Sequence, residues 1–85
     1  MKEFSYVVTQ AEGLHVRPAG ILAKQAAKYQ SDIWLLFNEK KVSARRLFAI
    51  MGLGVKCGAS VTVQIEGPDE EQACQDILEL FQNQL

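Results

Sequence analysis

Cysteine is scarce in this 85-residue chain. Cys57 and Cys74 are the only two, and neither has metal-ligand spacing around it. A disulfide framework is therefore not indicated, and both read as reduced thiols of a cytosolic protein. Histidine occurs once, as His15, which leaves a metal site without converging ligands and excludes zinc and haem. A serine-type triad has no base and orienting acid that can be named. No apolar run approaches a membrane span, and Met1-Lys2-Glu3-Phe4-Ser5 lacks the apolar stretch of a secretory signal. Excess charge is missing too: nine basic residues face ten acidic ones, a formal net charge of −1. Bulk attraction to nucleic acid or to an anionic membrane has no support from that balance.

What remains is ordinary for a globular protein, with 48% hydrophobic and 22% charged residues in a length suited to one domain over residues 1–85. Phe4, Tyr6 and Val8 alternate with Glu3, Ser5 and Thr9, which predicts a strand buried on one face. Gly13 ends that pattern. Ala19, Leu22, Ala23 and Ala26 then follow helical spacing, and Pro18 fits the first turn, where its missing N–H is harmless. Asp32 to Phe37 predicts a strand with Ile33, Leu35 and Phe37 on one side and Trp34 and Leu36 on the other. Asn38-Glu39-Lys40 predicts a hairpin turn, and Lys41-Val42-Ser43 its short partner strand. Ser43 is expected to cap a helix of about Arg46 to Gly52.

Beyond Gly52, Gly54 and Gly58, the residues Val61, Val63 and Ile65 alternate with Thr62, Gln64 and Glu66 as another half-buried strand. Gly67-Pro68-Asp69-Glu70-Glu71 predicts a turn and a helix start with acids where the dipole favours them. Ala73, Ile77, Leu80 and Phe81 form that helix's buried stripe. The order βαββαβα predicts an open-faced α/β sandwich, a four-stranded antiparallel sheet covered by three helices on one face. Two charge clusters stand out: Lys40, Lys41, Arg45 and Arg46, and Asp69, Glu70, Glu71, Asp76 and Glu79. Each fits a solvated face or a partner-steering patch.

His15 stands where the strand-like run gives way to a helix-like one. An exposed imidazole is mostly an uncharged nucleophile at neutral pH and can accept a phosphoryl group. A helix start offers unpaired backbone N–H groups and a dipole that favours anions, and Arg17 could add charge-assisted bonds. From these residues alone, a plain helix-start histidine beside a surface arginine is the favoured reading. Leu47, Phe48, Ile50, Met51 and Leu53 make the second helix apolar nearly all round. Part of it should therefore face outward as a docking surface, with methionine supplying an adaptable contact. The alternative is that all five are core.

The stretch Gly13-Leu14-His15-Val16-Arg17-Pro18-Ala19 resembles the active-site signature of HPr, the histidine phosphocarrier of the bacterial sugar phosphotransferase system. Arg46-Leu47-Phe48-Ala49-Ile50-Met51-Gly52-Leu53-Gly54 resembles the family's second-helix segment. Val61-Thr62-Val63 and Glu66-Gly67-Pro68-Asp69-Glu70 resemble its last strand and turn. The resemblance implies that His15 takes a phosphoryl group on Nδ1 from Enzyme I, charged by phosphoenolpyruvate, and passes it to EIIA components of sugar permeases. It implies that Arg17 stabilises that group and that Val16, Gly20, Leu47, Phe48 and Met51 dock both partners. No cofactor, nucleic acid or membrane insertion is implied, and the resemblance implies a phosphorylated carrier rather than an enzyme. A regulatory variant, in which phospho-His15 controls binding to other proteins, is the alternative. An RNA-binding or small-ligand domain is disfavoured by the missing basic surface and stacking aromatics.

Two positions depart from the family's pattern. Arg46 occupies the place of its characteristic regulatory serine, so a switch by serine phosphorylation should be absent. Glu12 stands where a small polar residue is more usual, and its carboxylate is expected near the phosphoryl oxygens.

Overall fold

The computed structural model describes residues 1–85 throughout. Its elements are β1 (Lys2–Val7), α1 (Val16–Ala26), β2 (Asp32–Phe37), β3 (Lys40–Ser43), α2 (Leu47–Gly52), β4 (Ser60–Glu66) and α3 (Glu70–Gln84). They form one antiparallel sheet in the order β1-β4-β2-β3, open on one face and covered by the helices on the other. β4 takes a central place because its inner residues Val61, Val63 and Ile65 are fully buried while its outer ones are polar. A one-residue slip would reverse both faces, so the alternation fixes the register Phe4↔Val63 and Leu35↔Val63.

Ala19, Leu22 and Ala26 bring α1 down on the sheet, and Ala73, Ile77, Leu80 and Phe81 do the same for α3. Phe81 meets Phe4 edge-on at 5.9 Å between ring centres and lies 5.3 Å from Tyr6, so the β1 alternation is read directly by α3. Trp34 and Leu36 lie on the uncovered face, as their spacing predicts, among hydrogen-bonded polar pairs. Ser5 and Thr62 hydroxyls are 3.0 Å apart, Gln64 donates to Glu3 at 2.8 Å, and Lys41 Nζ sits 5.0 Å over the Trp34 ring.

Three local expectations need correction. The hairpin turn has two residues, not three: Asn38 and Glu39 both adopt positive φ (52° and 67°), and Lys40 already pairs with Phe37. Positive φ at both turn residues matches the right-handed twist of the strands, which the unprimed two-residue turns would splay. The second helix begins at Leu47, with Arg46 at the N-cap position. Ser43 lies too early to cap it; its hydroxyl accepts instead from the Arg45 amide at 3.2 Å.

The link between α1 and β2 is clamped from both sides. Arg45 donates to the carbonyls of Tyr29 (2.6 Å), Ser31 (2.9 Å) and Ala26 (3.4 Å). Asp69 accepts from the Ser31 hydroxyl at 2.5 Å and from the amides of Gln30 and Ser31 at 2.9 Å each. The Ser31 hydroxyl and then the Gln30 amide hold the Asp69 carboxyl below its ordinary value of 3.8. A lowered native value means stability present above the ordinary range and lost as pH falls through the native one. Asp69→Asn should therefore lower the thermal midpoint at neutral pH, with the gap to wild type closing only below about pH 4. A constant gap across an acid titration would show that the charge is not responsible.

Candidate functional site

The turn carrying His15 is pinned at both ends. The Gly13 amide bonds to the Gln10 carbonyl at 2.9 Å, and the Leu14 amide to the Val55 carbonyl at 3.0 Å. Gly13 has φ +72°, and a Cβ there would run into the Val55 carbonyl oxygen, so only glycine lets the turn lie this close to the 52–58 loop. Leu14 points into the core, 4% exposed, which turns the next residue outward.

His15 is the N-cap residue of α1, with extended backbone (φ −84°, ψ −168°) and a carbonyl that accepts from Ala19 at 2.9 Å. Its side chain makes no capping bond and is 34% exposed. Pro18 has no N–H, and the Val16 and Arg17 amides have no partner within the chain. The ring therefore stands beside two free donors at the positive end of a helix dipole, an arrangement suited to an anion. Arg17 is exposed and makes no ion pair within the chain. Glu12 Oε2 lies 3.8 Å from His15 Nδ1, which places the expected carboxylate against that ring nitrogen.

The apolar second helix divides. Ile50 and Leu53 are core, whereas Phe48 is 81% and Met51 37% exposed. Leu47 is half-buried against the core. On α1, which packs against α2, Val16 is 58% exposed, and Gly20, one turn further along, has open space where a Cβ would be. Val16 next to His15, and Phe48 and Met51 on the helix packed against α1, are thus the exposed large apolar side chains of this pair of helices, fewer than the helix composition alone suggests. The basic cluster also divides. Arg45 is spent on backbone carbonyls and Lys41 on Trp34, while Arg46 stays exposed without an acidic partner. No pattern along the chain announces the Arg45 clamp or the Val55 carbonyl, because their partners are backbone groups distant in sequence.

The sequence pattern described as "PTS HPr component phosphorylation site" matches residues 2–83. The chain belongs to the HPr family. A curated phosphocarrier protein HPr from Mycoplasma capricolum is 40% identical over 77 residues, 91% of this chain and 86% of that protein. The crystal structure of HPr from Thermoanaerobacter tengcongensis superposes with a TM-score of 0.91 at 39% identity, covering 96% of this chain and 92% of that one. The solution structure of Crh, the Bacillus subtilis catabolite repression HPr, is 30% identical, with a TM-score of 0.68 over 99% of this chain and 100% of that one. HPr proteins are phosphocarriers of the phosphotransferase system rather than catalytic enzymes. No helix of this chain is long and apolar enough to cross a membrane.

Proposed function

We propose that this HPr-family chain is a cytoplasmic phosphocarrier that accepts a phosphoryl group on His15 from phospho-Enzyme I and passes it to EIIA components of sugar permeases. The observation that carries the reading is the chain's single imidazole, part exposed, beside the unpaired amides of Val16 and Arg17. In the transfer, the Nδ1 lone pair forms a bond to phosphorus while the bond to the donor atom breaks and that atom leaves with its electron pair. The ring's own proton sits on Nε2. The two amides and the Arg17 guanidinium meet the phosphoryl oxygens, with charge-assisted bonds about twice as strong as neutral ones.

Val16, Gly20, Leu47, Phe48 and Met51 form the docking surface for both partners in this reading. Exposed aromatic and methionine side chains beside a charged site suit more than one protein surface. Phe48→Ser should leave the thermal midpoint nearly unchanged, since the ring is 81% exposed. It should raise KM for transfer to an EIIA domain about tenfold, as loss of a central aromatic contact does. An unchanged KM would remove Phe48 from the interface.

Incubation with phosphoenolpyruvate and Enzyme I tests the carrier role. Acid-labile label mapping to the peptide that contains His15 is expected. No label under conditions that charge another HPr would overturn the reading. Crh is named a catabolite repression HPr, so the similarity to it favours a second, regulatory role for this chain. Arg46 offers no hydroxyl, so control by a serine kinase at that helix start is absent from either role.

A further inference from the structure

Glu12 is exposed, lies on the same turn as His15 and places Oε2 3.8 Å from Nδ1. It is the one carboxylate paired with the ring, and no lysine or arginine of the chain pairs with it, so its charge is not cancelled. It makes no hydrogen bond to the scaffold by which a structural role could be explained. We infer that Glu12 tunes the phosphoryl-transfer potential of this carrier, disfavouring phospho-His15 relative to the free histidine. The inference rests on the reading of His15 as acceptor at Nδ1.

Two effects act in the same direction. Before transfer, attack requires a lone pair on Nδ1 and the proton on Nε2. A carboxylate beside Nδ1 favours a proton on that nitrogen, the opposite tautomer, which cannot attack phosphorus through Nδ1. After transfer, phosphorus is bonded to Nδ1 and its oxygens carry negative charge next to the same carboxylate. Arg17 and the two free amides oppose that repulsion without removing it. The carrier with Glu12 is thus the poorer acceptor and the better donor, with the reaction itself unchanged.

The test is the charging equilibrium of wild type, Glu12→Gln and Glu12→Ala, each incubated with Enzyme I at a fixed ratio of phosphoenolpyruvate to pyruvate. The fraction phosphorylated on His15 is read by mass spectrometry. Both variants should show an equilibrium constant for charging larger by about threefold to tenfold at low ionic strength, the size expected of like charges ~6 Å apart in a mostly aqueous setting, at an effective dielectric constant of about 40 to 80. The difference should shrink toward zero near 1 M salt, where the screening length falls to about 3 Å. Equal constants at low salt would overturn the proposal and leave the carrier role standing. So would a gain in Glu12→Gln alone, which would point to an amide bond rather than to lost charge, or a difference that ignores salt. Absence of label from His15 in all three proteins would overturn the acceptor reading, and this proposal with it.

Discussion

His15→Ala is expected to abolish phosphoryl acceptance while leaving the fold intact. The separation is possible because the imidazole contributes almost nothing to the scaffold. It makes no capping bond, and its backbone carbonyl, which accepts from Ala19, is present whatever the side chain. The extended φ and ψ at position 15 are accessible to alanine. Loss of packing by a part-exposed ring should cost no more than about 0.5 kcal/mol, a shift of a few degrees in a domain of this size. Acceptance from Enzyme I should fall below detection, because the chain has no second imidazole to substitute. Label incorporation and thermal unfolding on the same preparation check both halves. Label retained at a comparable rate would place the acceptor elsewhere, and an unfolded variant would make His15 structural.

The parts of this molecule legible in the sequence are those where a periodic pattern meets one large buried surface. β4 is the clearest case: Val61, Val63 and Ile65 alternate with polar residues, and the sheet places them accordingly. The α3 stripe works the same way at helical period, ending in Phe81 between Phe4 and Tyr6. The histidine turn was legible for a different reason, since Gly13, His15 and Pro18 each have a narrow set of backbone roles. Where one residue decides an element's edge, composition was not enough. Ser43 has a good capping side chain but stands three positions before the actual cap, and Lys40 belongs to the strand because two left-handed residues already complete the turn.

Long-range polar bonds were invisible for a further reason. Arg45 and Asp69 read as surface charge, yet both hold residues 26–31, reached across the fold. Their acceptors and donors are mostly main-chain groups, which every residue carries, so no residue type marks them. The apolar patch falls between the two cases. Composition shows that α2 has more apolar residues than one face can bury, but only the packing of α2 on α1 selects Phe48 and Met51, and not Ile50 and Leu53, for exposure.

Gly13→Ala should be strongly damaging, and it should strike stability and transfer together. At φ +72° an L-residue carries a conformational penalty of ~1–2 kcal/mol. The new Cβ would also overlap the Val55 carbonyl oxygen and come within 2.8 Å of Lys56 Cα. Neither is the movable end of a side chain. Relief requires the turn and the 52–58 loop to separate, which breaks the 3.0 Å bond from the Leu14 amide to that carbonyl and leaves Leu14 poorly seated. A buried bond lost in this way adds ~1–3 kcal/mol, so the total is about 3 kcal/mol and the thermal midpoint should fall by more than ~10 °C. His15 lies two residues beyond the displaced glycine, and misplacement of a reacting group by ~1 Å can cost about a hundredfold in rate. Gly20→Ala provides the contrast. It lies inside α1 with nothing within 4 Å of the added methyl, so it should raise stability by ~0.5–1 kcal/mol. Thermal unfolding of the two variants, with label transfer measured well below the lower midpoint, separates local backbone geometry from helix propensity. An unchanged midpoint in Gly13→Ala would mean that the 52–58 loop yields freely, and the close approach of that loop would then not be what positions His15.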